Sequence, residues 1–303
     1  MNAVFKKEFR SNLTNVIGII FISVMLITFG WNYILLTFRA AHPAVEFAFT
    51  HFLGMKEGYI YIWISNGFPL ITLILASLLT MRVFPEERHQ KTDILLYSLP
   101  ISATKVVMGK YLALVSIFAL PFALFLVSPV ITGLYGTVNY ASAYGAILAY
   151  FLLGCAVIAV CMFISSLTSN QVVCAVCGIA AVLAIYFLPQ LAGAVSEKPG
   201  ASLALLIVLA AAVALIVLSA TKNAVAAGAV FGVLAAGELA VYFIKSSLLE
   251  GLAGKIISSL GLFDKMTDFA NGTVDIGTYI YYLSFAALFV FFTVQSFEKR
   301  RWN

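Results

Sequence analysis

The sequence predicts an all-α fold, a polytopic membrane helix bundle of about eight transmembrane helices. Of its 303 residues 62% are hydrophobic and 10% charged, against roughly 45–50% and 25% for a soluble globular domain. Between Tyr111 and Ser196 there is no Asp, Glu, Lys or Arg, a stretch suited only to lipid or a lipid-embedded core. Turn-rich breaks, such as Gly133 to Asn139, Ser165 to Asn170 and Glu197 to Gly200, divide the apolar sequence into bilayer-length runs.

In order along the chain, residues 1–13 place Phe5, Phe9 and Leu13 at helical spacing with Lys6, Lys7 and Arg10 on another face. That is the pattern of a helix lying in the headgroup plane and bending into the first span. The spans are expected near residues 14–36, 59–81, 105–133, 143–165, 171–189, 202–220, 224–244 and 278–297. Thr221 to Asn223 separates the sixth span from the seventh, because one fused apolar helix would overshoot a bilayer of roughly 30 Å. In residues 245–277, Leu248, Leu249, Leu252, Ile256, Ile257 and Leu260 alternate with polar positions at helical spacing, predicting an outer-face amphipathic helix. Asn271-Gly272 turns the chain, and Asp275 caps the last span.

An even number of spans puts both termini on one side, and the positive-inside rule makes that side cytoplasmic. This arrangement leaves about twelve Lys and Arg inside and about six outside. The first run is longer than the apolar core of a signal peptide and lacks a small-x-small cleavage site, so it is expected to be retained. The net charge of +5 sits at span ends, which speaks for headgroup contact and topology rather than nucleic acid.

Catalytic patterns are missing from the sequence. The three histidines, His42, His51 and His89, have no H-E-x-x-H spacing, no G-x-S-x-G elbow is present, and Gly109-Lys110 lacks the rest of a phosphate-binding loop. The chain is expected to be non-catalytic and to bind no cofactor itself. Cys155, Cys161, Cys174 and Cys177 fall inside apolar runs, where they read as small packing residues despite the C-x-x-C formed by the last two. Glu238 is the lone carboxylate of the spans and costs roughly 2.5–3.5 kcal/mol at a helix centre. It is the substrate-path candidate, with interfacial or bundle hydrogen bonding as the other reading. Gly228 and Gly232 form a G-x-x-x-G that is expected to pack within the chain. Pro121 is a place where a span could kink or end.

The remaining polar feature is the segment from Arg82 to Lys110, the chain's one dense polar surface. Ile94, Leu95, Leu96 and Leu99 form an apolar stripe beside Glu86, Glu87, Arg88 and Asp93, and Pro100 stops the helix before Ser102 caps the next one. An exposed amphipathic helix carrying both charge signs is what a docking element requires.

The string Glu86-Glu-Arg-His-Gln-Lys-Thr-Asp-Ile-Leu-Leu-Tyr-Ser-Leu-Pro-Ile-Ser102, followed by Gly109-Lys110, resembles the cytoplasmic segment of ABC-2 type transporter permeases. Phe5-Lys-Lys-Glu-Phe-Arg10 is similar to the family's opening basic helix. Phe269 to Ile276, Ile280 to Phe285 and Thr293 to Trp302 resemble its gliding-motility-type branch.

The resemblance implies a single transmembrane domain over residues 1–303, the membrane subunit of an exporter in the plasma membrane. Its partners would be cytoplasmic ABC ATPase subunits carrying ATP and Mg, and a second permease copy or a homologous permease, with an auxiliary outer-face subunit as a further candidate. The 82–104 segment would be a coupling helix, with Glu86, Glu87, Arg88, Thr92, Asp93, Leu95, Leu96 and Pro100 touching the ATPase. The family core has six spans, so the helices from Ser202 to Ile244 look like an added pair. Two alternatives stay open: an ATPase-coupled scaffold passing force to an outer-face partner, and an ion-coupled secondary transporter.

Overall fold

The computed structural model describes residues 1–39, 68–92, 101–134, 140–194, 199–221, 224–244, 250–259, 261–263, 265 and 275–302. The described residues are almost entirely helical, with no strand among them. Twelve helices are described in order: α1 (Asn2–Thr14), α2 (Val16–Arg39), α3 (Phe68–Thr80), α4 (Pro85–His89), α5 (Ala103–Phe125), α6 (Ser128–Gly133), α7 (Tyr140–Leu167), α8 (Gln171–Ala194), α9 (Pro199–Thr221), α10 (Ala224–Ile244), α11 (Leu252–Ser259) and α12 (Ile276–Trp302).

Four described segments are long and apolar enough to cross a bilayer: Ala103–Ile131, Ala143–Leu167, Gln171–Leu188 and Ile276–Arg301. A fifth follows if the α1 and α2 segments, bent by 70° at Asn15, count as one span. The bend needs Gly18, since a Cβ there would collide with the Asn12 carbonyl. Pro121 does not end its helix: α5 continues through it to Phe125.

The chain divides into two compact units, Met1–Ala184 with Lys265–Asn303, and Ile185–Asp264. In the first, α7 lies at the centre and packs against α3, α5 and α12. It is apolar all round, as a helix buried on every side must be, and residues from Leu153 to Met162 are mostly inaccessible. An aromatic cluster joins its neighbours: Phe118 and Phe122 meet Phe151, and Phe29 stacks on Phe125 at 4.7 Å between ring centroids. Such pairs add about 0.5–1.5 kcal/mol each beyond area burial.

In the second unit α9 and α10 pack along one another. Within the 245–277 region the described residues hold one short helix, α11, whose Ala253 N–H donates to Ser202 Oγ on α9 at 3.0 Å. Gly228 and Gly232 depart from expectation. Both are exposed, and no described atom lies within 4 Å of a Cβ built on either, so they mediate no close helix approach here. Asp275 caps α12 as expected, accepting the Gly277 and Thr278 N–H groups at 3.0 Å each.

Candidate functional site

The charged segment begins where α3 ends. Val83, Phe84 and Pro85 are buried, and Pro85 occupies the first turn of α4, where its missing N–H and fixed φ cost nothing. Glu86 and Glu87 follow in the first turn with Arg88 and His89 in the last, so both charge signs complement the helix dipole. Five residues are too few for a stable helix alone.

Its end is fixed by a Schellman turn. The Thr92 N–H donates to the Glu87 carbonyl at 2.9 Å and the Lys91 N–H to the Arg88 carbonyl at 3.1 Å. The motif requires a left-handed residue, and Lys91 supplies it at φ 56° where glycine is usual. Strained non-glycine backbone of this kind clusters at functional sites.

The sequence reading treats everything from Arg82 to Lys110 as polar surface, and here the structure corrects it. Lys110 lies in the second turn of α5 and is 1% exposed. Its Nζ donates to Glu87 Oε1 at 2.9 Å, to Glu8 Oε1 on α1 at 3.1 Å and to the Val83 carbonyl at 2.9 Å, with the Phe84 ring centroid 5.3 Å away. All three ammonium donors are thereby used. Lys7 approaches Glu87 at 3.5 Å, so two cations meet two carboxylates. Beside Lys110, Gly109 lets α1 come close: a Cβ there would lie 3.3 Å from Val4 and from the Met1 carbonyl.

Arg88 also turns inward, donating to the Ser166 carbonyl at 2.6 Å and to the Thr168 carbonyl at the C-terminal end of α7. Arg300 of α12 donates to the Leu167 carbonyl, so two guanidiniums satisfy carbonyls that a helix end leaves open. Arg301 donates to the Ile101 carbonyl at 3.1 Å, and Arg82 to Asn15 Oδ1 at the α1–α2 bend at 3.2 Å. One polar knot thus gathers α1, α4, the start of α5, the α7–α8 turn and the end of α12.

Of the residues singled out in the sequence, Glu86 is half-buried, and Thr92 is exposed with its hydroxyl on the Glu87 carbonyl at 3.2 Å. His89, Gln90 and Lys91 are exposed beside them. Asp93, Leu95, Leu96 and Pro100 lie outside the described residues, as do Ile94 and Leu99. Ser102 precedes α5 with extended backbone, but its hydroxyl makes no capping bond. Glu238 is half-buried in α10, and its Oε2 has no hydrogen-bond partner among the described residues. An open groove of about 480 Å³ runs between α5 and α12, with Thr104, Gln295 and Glu298 among apolar residues such as Leu283 and Phe291.

Several described apolar helices of membrane length, gathered at a charged knot, mark a membrane protein. A family model described as ABC-2 family transporter protein matches residues 47–224, more than half of the chain. The chain therefore belongs to the ABC-2 transporter family, whose members are membrane permeases of ABC transporters. The match runs through α9 and ends at the first residue of α10. Neither the curated proteins nor the solved structures contain a match.

Proposed function

We propose that this chain is the membrane subunit of an ABC exporter of the gliding-motility type, and that residues 82–104 dock on a separate cytoplasmic ATPase. The observation carrying this reading is the architecture of α4. A short helix of mixed charge, closed by a strained turn, leaves His89, Gln90, Lys91 and Thr92 exposed, with Glu86 half-buried beside them, while its other side is tied into the bundle. Glu86 and Thr92, with Asp93, Leu95, Leu96 and Pro100 beyond them, are the ATPase contacts.

In this reading the chain spans the plasma membrane eight times with both termini in the cytoplasm. The Met1 carbonyl lies beside Gly109 of α5 and Arg301 donates to the Ile101 carbonyl just before α5, which supports a shared side for the ends. Nucleotide binding closes the ATPase pair, and the docked segment moves the helices attached to it so that two permeases open outward. The work of hydrolysis belongs to the partner, together with its ATP and Mg. Substrate moves through the permease pair, with Glu238 as a contact on its path.

The test is charge reversal on the accessible face. Glu86→Lys is expected to abolish ATPase co-purification while membrane insertion and expression stay at wild-type levels. Recovery of an unchanged complex would refute the docking.

A further inference from the structure

We infer that Lys110 is a positioning residue that transmits movement of the α4 segment to α1 and α5, and that Glu87 and Arg88 serve this linkage rather than ATPase contact. The inference rests on the docking reading and divides the Glu86-Glu87-Arg88 run by role. Glu86 is half-buried and makes no ion pair among the described residues, whereas its two neighbours are tied inward.

Four observations converge on this assignment. The Lys110 ammonium is enclosed, with each of its three protons committed to a different acceptor: α1 through Glu8, α4 through Glu87, and the α3–α4 connection through the Val83 carbonyl. Gly109, its neighbour, brings α1 into contact with the same turn of α5. Arg88 ties α4 to the end of α7 by two carbonyls. Finally, stability alone does not call for these charges, since replacing a whole buried ion-pair network by apolar side chains of similar volume is often neutral or stabilising. A lysine with a full set of partners instead specifies one register between three elements, and such a register is what a lever needs at its pivot.

The linkage is also directional in its strength. Glu8 and Glu87 are only 13% and 14% exposed, whereas Lys7 is 68% exposed and sits at the rim. Lys7 offsets the second negative charge without enclosing it. Loss of Lys7 should matter little; loss of Lys110 should free α1 and α4 together.

The experiment uses the full chain in nanodiscs, with its co-purifying ATPase, and compares wild type with Lys110→Met, Lys110→Arg and Lys7→Met. The first readout is amide hydrogen exchange, which needs no ATPase. Lys110→Met is expected to speed exchange of residues 2–14 and 85–92 about tenfold, leaving residues 153–162 of α7 unchanged. Lys110→Arg should restore most of the protection, and Lys7→Met should resemble wild type. The second readout is maleimide labelling of a Leu134→Cys reporter with and without ATP and vanadate. The wild-type complex should show a nucleotide-dependent difference that Lys110→Met loses while still retaining its ATPase.

Unchanged exchange in α1 and α4, or a retained nucleotide response, overturns the inference. Loss of the ATPase from Lys110→Met also overturns it, because the lysine would then be building the docking face. If Lys110→Met does not insert, Glu8→Gln carries the same comparison from the more accessible side. Failure of the wild-type chain to retain any ATPase strikes the docking reading instead, and the exchange result then decides the linkage by itself.

Discussion

Glu87→Gln isolates the buried charge network, because it keeps the side-chain shape and one acceptor while removing the negative charge beside Lys110. The Glu87 carboxylate is 2.9 Å from an ammonium that is 1% exposed, and it is itself 14% exposed, so solvent screens the pair little. Removing one partner of a buried pair costs about 3–5 kcal/mol, chiefly by leaving a buried charge unmatched. Here Glu8 remains at 3.1 Å and the amide oxygen can still accept a bond, which reduces the expected loss to about 2–3 kcal/mol. For a folded unit of this size, that is about 5–10 °C in melting temperature. Tryptophan fluorescence during thermal unfolding in detergent measures it, with Glu86→Gln as the control: Glu86 makes no ion pair among the described residues and should shift the midpoint by less than about 1 °C. A double-mutant cycle with Lys110→Met should return a coupling of about 1–3 kcal/mol. Equal, small shifts for both glutamine variants, or zero coupling, would refute the reasoning.

Other outcomes follow from the same geometry. Lys91→Gly relieves a left-handed backbone and should stabilise the α4 turn by about 0.5–1 kcal/mol after glycine's own entropy cost, whereas Lys91→Pro cannot adopt φ 56° and should destabilise it; thermal midpoints distinguish the two. Gly109→Leu should push Val4 away and lift α1, seen as limited trypsin cleavage at Lys6, Lys7 and Arg10 accelerated by about fivefold or more. The Asp275 carboxyl is held below its ordinary range by the Thr278 hydroxyl and then by the Gly277 N–H. Its stabilisation of the α12 start is therefore complete above the ordinary carboxylate pKa of about 3.9 and is lost as pH falls further. Exchange protection at residues 276–279 should show that loss in wild type, while Asp275→Asn removes the pH dependence.

Much of the helix order is written in the hydropathy. The residues expected as the seventh span are helical as α10, and the fourth span, at residues 143–165, lies inside the membrane-length Tyr140–Leu167, because long apolar runs bounded by turn residues leave the chain few alternatives. The buried lysine was legible as well. Ala103, Val106, Val107, Lys110, Ala113, Leu114, Ile117 and Phe118 recur at helical spacing and are all buried, so Lys110 lies on the inner stripe of α5 rather than at the end of a polar elbow. Its partners were not, since Glu8 is 102 residues away and no local pattern links them. Nor could the sequence tell which of Glu86, Glu87 and Arg88 points inward, because a five-residue helix is too short to show a period. The open stripe at Gly228 and Gly232 was misread for a related reason: small residues permit close packing without specifying a neighbour.

The claim that residues 82–104 form a cytoplasmic docking element is tested most directly at Gln90, which is exposed on the turn after α4. A Gln90→Cys chain in sealed vesicles should react with a membrane-impermeant maleimide only when the membrane is inside-out, and bound ATPase should block the reaction. Labelling from the outer face, or labelling indifferent to the ATPase, would contradict the account.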